Sequence, residues 1–367
     1  MKNKKICWWM PQTGTKEERE LVKQVFDNNY VNEGDFTSEF ENKIAKLVDA
    51  KYAVAVTSCT AGMFLALKGL GIGSGDEVIV PDITFIATIN AVDMTGANPV
   101  LVDINSHDFT INIGAIEKAI TPKTKAIMPV HVTGRGADME SILSIAKKHN
   151  LVIVEDAAEA LASKYKNKYL GTYGDAGCFS FSPNKTVTTG QGGVIVTNNE
   201  KLYATLRMLK DQGRPEKGSG GDDIHYIRGY NFKFTNLQAA VGLGQLNYFK
   251  ARVKHMREIY QLYEKELRNV KELSIFPCDI NNGAIPQWTD VIAERRDELV
   301  EYLKNRDIDS RKYWIPIHQQ VPYKLPDNEF PNSTHLSRQA LWLPSAFTLS
   351  DDDIRLVCDL IKKFYSR

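Results

Sequence analysis

Residues 151–197 read LVIVEDAAEALASKYKNKYLGTYGDAGCFSFSPNKTVTTGQGGVIVT. Three short runs at 151–155, 177–182 and 193–197 are rich in β-branched and aromatic side chains. They are almost continuously apolar, as strands buried on both faces are, and do not alternate as half-wet strands do. Asp156 ends the first run, and Lys185 follows the second on a turn rich in Pro, Asn, Thr and Gly. Outward from this block the same signature recurs at 52–57, 77–81, 99–103 and 125–130. Between runs, 60–70 and 139–149 carry apolar residues at three-to-four spacing, which predicts helices. Strands alternating with helices predict an α/β layer fold around a mainly parallel, seven-stranded sheet.

The pattern changes at residue 236. Residues 236–250 read as one helix, and 251–269 continue it or form another. Short strands follow near 273–277 and 287–292, then helices at 296–304 and 351–365, the last capped by Ser350 or Asp351. This division predicts a large domain over 1–248 and a smaller α+β domain over 249–367. Residues 212–226, with GSGGDD inside, read as an exposed, mobile loop. No internal repeat is visible.

Of 367 residues, 43% are apolar and 25% charged, ordinary for a globular enzyme. The 46 basic and 45 acidic residues leave a net charge of +1, which gives no electrostatic reason to expect nucleic acid or an anionic membrane as partner. The apolar run near the N-terminus, Ile6 to Met10, is too short for a secretory core. No stretch approaches the roughly 20 apolar residues of a membrane span. Five scattered cysteines with no CxxC pair fit a reducing cytoplasm and imply neither disulfides nor a metal site.

The chemistry sits at the strand ends. In open α/β sheets, ligands bind beyond the carboxyl ends of strands, so Asp156 and Lys185 converge over one crevice. Pyridoxal phosphate needs such a pair: a lysine amine for its aldehyde, and a buried carboxylate that keeps its ring nitrogen protonated. Taken singly, a strand-end aspartate is more often a cap or a metal ligand, and a loop lysine is usually solvated; the combination carries the reading. The strand-to-helix turn with Cys59 and Thr60 offers hydroxyls and helix-start amides to a phosphate, or is a plain N-cap by Ser58 or Thr60. Ser180 adds a hydroxyl from the neighbouring strand, or bonds backbone. Phe85 either stacks on a flat ring or packs in the core. Glu159, three residues after Asp156, either meets the ring's phenolic oxygen or is a surface glutamate. In the C-terminal part, Trp288, Tyr313, Trp314 and His318 are candidates for sugar contacts, with core or interface packing as the alternative. Asn32, Glu33 and Lys164 are further, unranked candidates. No GxGxxG or Walker pattern supports a dinucleotide or nucleoside triphosphate site.

With these motifs in view, the sequence resembles the sugar aminotransferases of the DegT/DnrJ family from about Asn29 to the end. The matching stretches are FENKIAKLVDAKYAVAV, GDEVIVPDITFIATINAV, EDAAEALASKYKNKYLGTYGDAGCFSFSPNKTVTTGQGG and GYNFKFTNLQAAVGLGQL. The resemblance implies the aspartate aminotransferase (type I) fold, pyridoxal or pyridoxamine phosphate as cofactor, and a homodimer with shared active sites. Lys185 would be the Schiff-base lysine and proton carrier, Asp156 the partner of the pyridine nitrogen, Glu159 a contact of the ring hydroxyl and Phe85 a stacking ring. Cys59, Thr60 and Ser180 would hold the phosphate, and Asn231 would reach the phosphate in the neighbouring subunit. L-glutamate would supply the amino group and a nucleotide-linked 4-keto-6-deoxyhexose would receive it, for surface polysaccharide or related amino-sugar synthesis in the cytoplasm.

Three positions depart from the family pattern: Cys59 where glycine commonly precedes the threonine, Thr133 where an aromatic residue is common, and Lys233 where arginine is usual. Three other functions are weighed against the aminotransferase. Sugar dehydratases of the same fold carry histidine at the position of Lys185, and a non-catalytic regulatory protein would call for a basic face or an added helix-turn-helix. An NAD-linked oxidoreductase lacks its glycine fingerprint here.

Overall fold

A computed structural model of the chain describes residues 5–215 and 224–366. Most of the loop read as mobile, residues 216–223, lies outside the described residues. The large sheet is built from β1 (Tyr52–Val56), β2 (Glu77–Pro81), β3 (Asn98–Val102), β4 (Thr124–Ile127) and β5 (Val152–Asp156). A two-stranded hairpin follows, β6 (Lys164–Tyr165) and β7 (Lys168–Tyr169), and then β8 (Ala176–Ser180) and β9 (Gly193–Thr197) complete the sheet. Its order is β1-β9-β8-β5-β4-β2-β3. All neighbours are parallel except β9, which runs antiparallel to both β1 and β8.

Both faces of this sheet are covered, which is why its strands read as apolar runs. On one face, Ala53, Ala55, Val194, Val196 and Phe179 pack with Phe40 and Phe234. On the other, Val54, Val56, Ile195, Cys178 and Val154 pack with Met63, Leu65 and Ala66. The helices concerned are α1 (Lys16–Asp27), α2 (Asp35–Leu47), α3 (Cys59–Gly69), α4 (Ala87–Asp93), α5 (Ile113–Ala119), α6 (Met139–His149), α7 (Glu200–Lys210) and α8 (Asn236–Leu246). The α6 residues Met139, Ile142 and Ile145 cover Ile79, Ile127 and Ile153.

The second layer starts at α9 (Phe249–Leu267). The helix read over 236–250 is in fact two, broken at Asn247 and Tyr248. A four-stranded antiparallel sheet follows, with β10 (Leu273–Ile275), β11 (Asp290–Ala293), β12 (Arg311–Lys312) and β13 (Ala340–Trp342) in the order β10-β11-β13-β12. It packs with α10 (Arg296–Lys304), α11 (Pro331–Ser337) and α12 (Asp351–Tyr365). In α12 the Ser350 hydroxyl and the Asp353 carboxylate form a reciprocal cap. Residues 6–8, read from the sequence as the start of the large domain, pack on this layer: Ile6 bridges Ile308, and the Trp8 ring lies 5.3 Å from Trp288. Trp9 packs on the large-domain core as well. A large, mainly parallel α/β sheet beside a smaller α+β layer is the aspartate aminotransferase (type I) fold that the resemblance implies.

The layers meet at the turn after β4. Gly134 has φ +89°, and a Cβ there would fall 1.8 Å from the Ile285 carbonyl oxygen. The Gly134 carbonyl accepts from the Ser163 hydroxyl at 2.6 Å, and that hydroxyl in turn accepts from the Ile285 amide at 3.0 Å. Gly134→Ala therefore combines left-handed strain with a backbone clash. It is expected to cost about 3 kcal/mol or more, read as a lower urea midpoint with an unchanged slope.

Candidate active site

The carboxyl ends of β2, β5 and β8 face one crevice, together with the start of α3 and of the reversed strand β9. A cavity of about 360 Å³ opens there, lined by Cys59, Thr60, Phe85, Asp156, Glu159, Ser180 and Lys185 from the large domain. Trp288, Arg311, Trp314 and Trp342 line it from the second layer. The antiparallel course of β9 matters here, because it brings Gln191 and Gly192 to the cavity edge.

Asp156 is the last residue of β5 and is 5% exposed. Its Oδ2 accepts from the Thr88 hydroxyl at 2.7 Å and its Oδ1 from the Ala158 amide at 3.1 Å. Burial pushes its carboxyl above the usual carboxylate range, although Thr88, Ala158 and the Lys185 charge pull the other way. Thr88 is itself held: its Oγ1 lies 2.6 Å from that of Thr84. A desolvated carboxylate braced on two sides awaits a positive partner more than it caps a helix.

Lys185 follows β8, its amide donating to the Ser182 carbonyl. Its Nζ donates to Glu159 Oε1 at 3.3 Å and sits 5.0 Å from the Trp288 ring centroid. Burial raises the Glu159 carboxyl, against the neighbouring Lys185 charge and the Thr133 amide, which donates to Oε2 at 2.9 Å. Thr133 is a non-glycine residue at φ 49°. A buried network holds that turn: Arg135 grips Asp290 with two bonds of 2.7 Å, and Asp290 also accepts from Thr133 Oγ1 and Tyr313 Oη.

At the other end of the cavity, the Ser58 hydroxyl accepts from the Ala61 amide and starts α3. The amides of Cys59 and Thr60 have no protein acceptor among the described residues, as expected of a helix start. Gly193 lets β9 approach this turn, since a Cβ there would lie 2.5 Å from the Cys59 nitrogen. Burial pushes the Cys59 thiol well up, so it sits there as a neutral group.

The candidates thus divide. Seven of the cofactor contacts named above line one cavity, as do Trp288 and Trp314. Asn231 is exposed, outside that lining, and bridges Asp211. Tyr313 and His318 lie outside that lining. Tyr313 is buried between Phe109 and Trp342 with its hydroxyl on Asp290. His318 is fully buried, with Nδ1 2.6 Å from Asp82 and its ring stacked on Phe330. Both are spent on packing. Glu33 is ion-paired with Arg207 and Lys210, and Lys164 lies over Tyr169. Thr88, Arg311 and Trp342 were not found by sequence reasoning. Thr88 alone had a signal, three residues beyond Phe85 in the same short helical turn.

Among the described residues no helix is long and apolar enough to cross a membrane. The model of the DegT/DnrJ/EryC1/StrS aminotransferase family matches residues 12–362. The chain is 38% identical to a protein of Escherichia coli O157:H7 named GDP-perosamine synthase, over 96% of each chain. It is 36% identical to one of the same name from Caulobacter vibrioides, over 92% of each. The fold of DesV from S. venezuelae, solved with a ketimine intermediate, superposes with a TM-score of 0.91 at 33% identity, covering 96% of this chain and 95% of that one. With a match over nearly the whole length and the cavity residues in place, the chain belongs to the DegT/DnrJ/EryC1/StrS aminotransferase family.

Proposed function

We propose that the chain transfers an amino group from L-glutamate to a nucleotide-linked 4-keto-6-deoxyhexose, with pyridoxal 5'-phosphate as its cofactor. One observation carries this: a desolvated carboxylate, Asp156, and an amine, Lys185, line a single cavity beside a helix start with open amides. These residues fit a phosphorylated pyridine. When bound, that group supplies an aldehyde for an amine and a protonated ring that draws electrons from the carbon losing its proton.

The protein's own parts then divide the work. The α3 start, with Cys59, Thr60 and Ser180, receives the phosphate. Phe85, 54% exposed on the cavity side of its turn, offers a ring face. Asp156 holds the proton at the ring nitrogen, and Glu159 bonds the ring hydroxyl. Lys185 Nζ, released from Glu159 by a small rotation, carries a proton between substrate carbon and nitrogen. Asn231 reaches the phosphate in the partner subunit of a homodimer. The sugar is assigned by similarity: three relatives carry the name GDP-perosamine synthase, which favours a GDP-linked acceptor. No observation favours the dehydratase, since Lys185 stands where that reaction has histidine.

The test incubates the purified protein, glutamate and a panel of GDP-, TDP- and UDP-linked keto sugars, read by mass spectrometry. A product carrying nitrogen in place of the keto oxygen is expected with the GDP sugar. Loss of oxygen without gain of nitrogen refutes the transfer.

A further inference from the structure

Arg311 lines the cavity from β12, the edge strand of the smaller sheet. Its guanidinium lies 5.0 Å from the Trp8 ring centroid and 5.4 Å from that of Trp342. No carboxylate among the described residues pairs with it. The other cation of the lining, Lys185, is bonded to Glu159, and the lining's two carboxylates, Asp156 and Glu159, are both on the large-domain side. Arg311 is therefore the cavity's uncommitted positive charge.

The wall beside it is built of indoles: Trp288 and Trp342 are 2% and 1% exposed, and both line the cavity. A guanidinium laid on indole faces is weakly hydrated and presents a planar fork of donors, matched to two oxygens of one anionic group. The ring-to-ring path from Lys185 to Trp288 to Trp342 to Arg311 sets that anion about two indoles away from the reacting amine.

We propose that Arg311, laid on the Trp8 and Trp342 rings, forms an anion-receiving wall that anchors a substrate by a pair of acidic oxygens. The inference rests on the aminotransferase reading above and adds its specificity element. Two sources have this chemistry, a carboxylate of the amino donor and the diphosphate of the sugar nucleotide, and they separate experimentally.

The test uses the cofactor-loaded enzyme and two non-reacting probes, 2-methylglutamate, which lacks the proton to be removed, and GDP. Binding is read by tryptophan fluorescence for the parent, Arg311→Met and Arg311→Lys. Arg311→Met is expected to weaken one probe about 10- to 100-fold, the effect of losing a charged hydrogen-bond pair. Arg311→Lys is expected to recover only part, because a point charge replaces a fork. Loss with 2-methylglutamate names the carboxylate, loss with GDP names the diphosphate, and loss with both assigns the wall to both half-reactions. Unchanged affinity for both probes in Arg311→Met, or no binding of either to the parent, overturns the inference. If Arg311→Met does not fold, Arg311→Gln is titrated in its place. Amine transfer by the parent is followed in parallel. Transfer with unchanged probe affinities sinks the Arg311 assignment alone, whereas absence of transfer sinks the aminotransferase reading itself.

Discussion

Lys185→Ala is expected to lower amine transfer on the order of 10⁴-fold, with loss of the visible absorbance that a lysine-linked cofactor gives. The magnitude follows from removing a nucleophile and a proton carrier in one step, since positioned acid–base catalysis alone contributes roughly 10²- to 10⁴-fold. No other amine is placed to substitute: Arg311 is the remaining basic residue of the lining, and two indole rings separate it from Lys185. The fold is expected to survive. Breaking a buried ion pair normally costs because a charge is stranded, but burial already raises the Glu159 carboxyl. Without its cation the Glu159 carboxyl is pushed further toward its neutral form and keeps the Thr133 amide bond. The variant should therefore be folded by circular dichroism, colourless at the lysine-linked wavelength and inactive. Sustained multiple turnover by Lys185→Ala defeats the assignment.

The sheet was legible because its strands are buried on both faces, so seven apolar runs located seven strands to within three residues at each end. What the pattern left open was the direction of β9. Its Gly193–Thr197 run looks like its neighbours, but residues 181–192 form no crossover helix, and β9 returns to pair antiparallel with both β8 and β1. Asp156 and Lys185 were legible for a related reason: a charged residue just past an apolar strand has few places to go except the crevice at the strand ends. His318 and Tyr313 were left open because a polar aromatic residue near a site gives the same sequence signal whether it faces a sugar or a buried carboxylate. Only the tertiary partners, Asp82 for one and Asp290 for the other, decide it. Arg311 and Trp342 were invisible for the opposite reason. β12 and β13 are two and three residues long, too short for a period to register, and the pairing of Arg311 with Trp342 is a register fact of the small sheet. The first turns of chain went unread too, because residues 6–8 join a layer whose other members lie some 240 residues away or more.

Asp156→Asn is expected to separate catalysis from folding. The amide has the shape of the carboxylate, and its oxygen keeps the Ala158 amide bond. Its nitrogen donates to Thr88, whose hydroxyl turns to the Phe85 carbonyl 3.2 Å away. What is lost is the negative charge that stabilises a protonated pyridine, so turnover should fall about 10²- to 10³-fold, the scale of removing one preorganised charge partner. Stability should move the other way in the cofactor-free protein. Burial raises the Asp156 carboxyl above its unfolded value. Its contribution to stability is therefore fully present below the unfolded carboxylate pKa and is lost as pH rises through the folded one. At neutral pH the parent carries the cost of a desolvated charge and the asparagine variant does not. Cofactor-free Asp156→Asn should thus melt at or above the parent temperature near neutral pH, and the gap should close as the pH is lowered into the carboxylate range. With cofactor added the order reverses, because the parent regains a pyridinium partner for its carboxylate and the variant gains none. Melting curves at two pH values, with and without cofactor, test all three signs. A cofactor-induced rise in melting temperature that is undiminished in Asp156→Asn removes this carboxylate from the ring nitrogen.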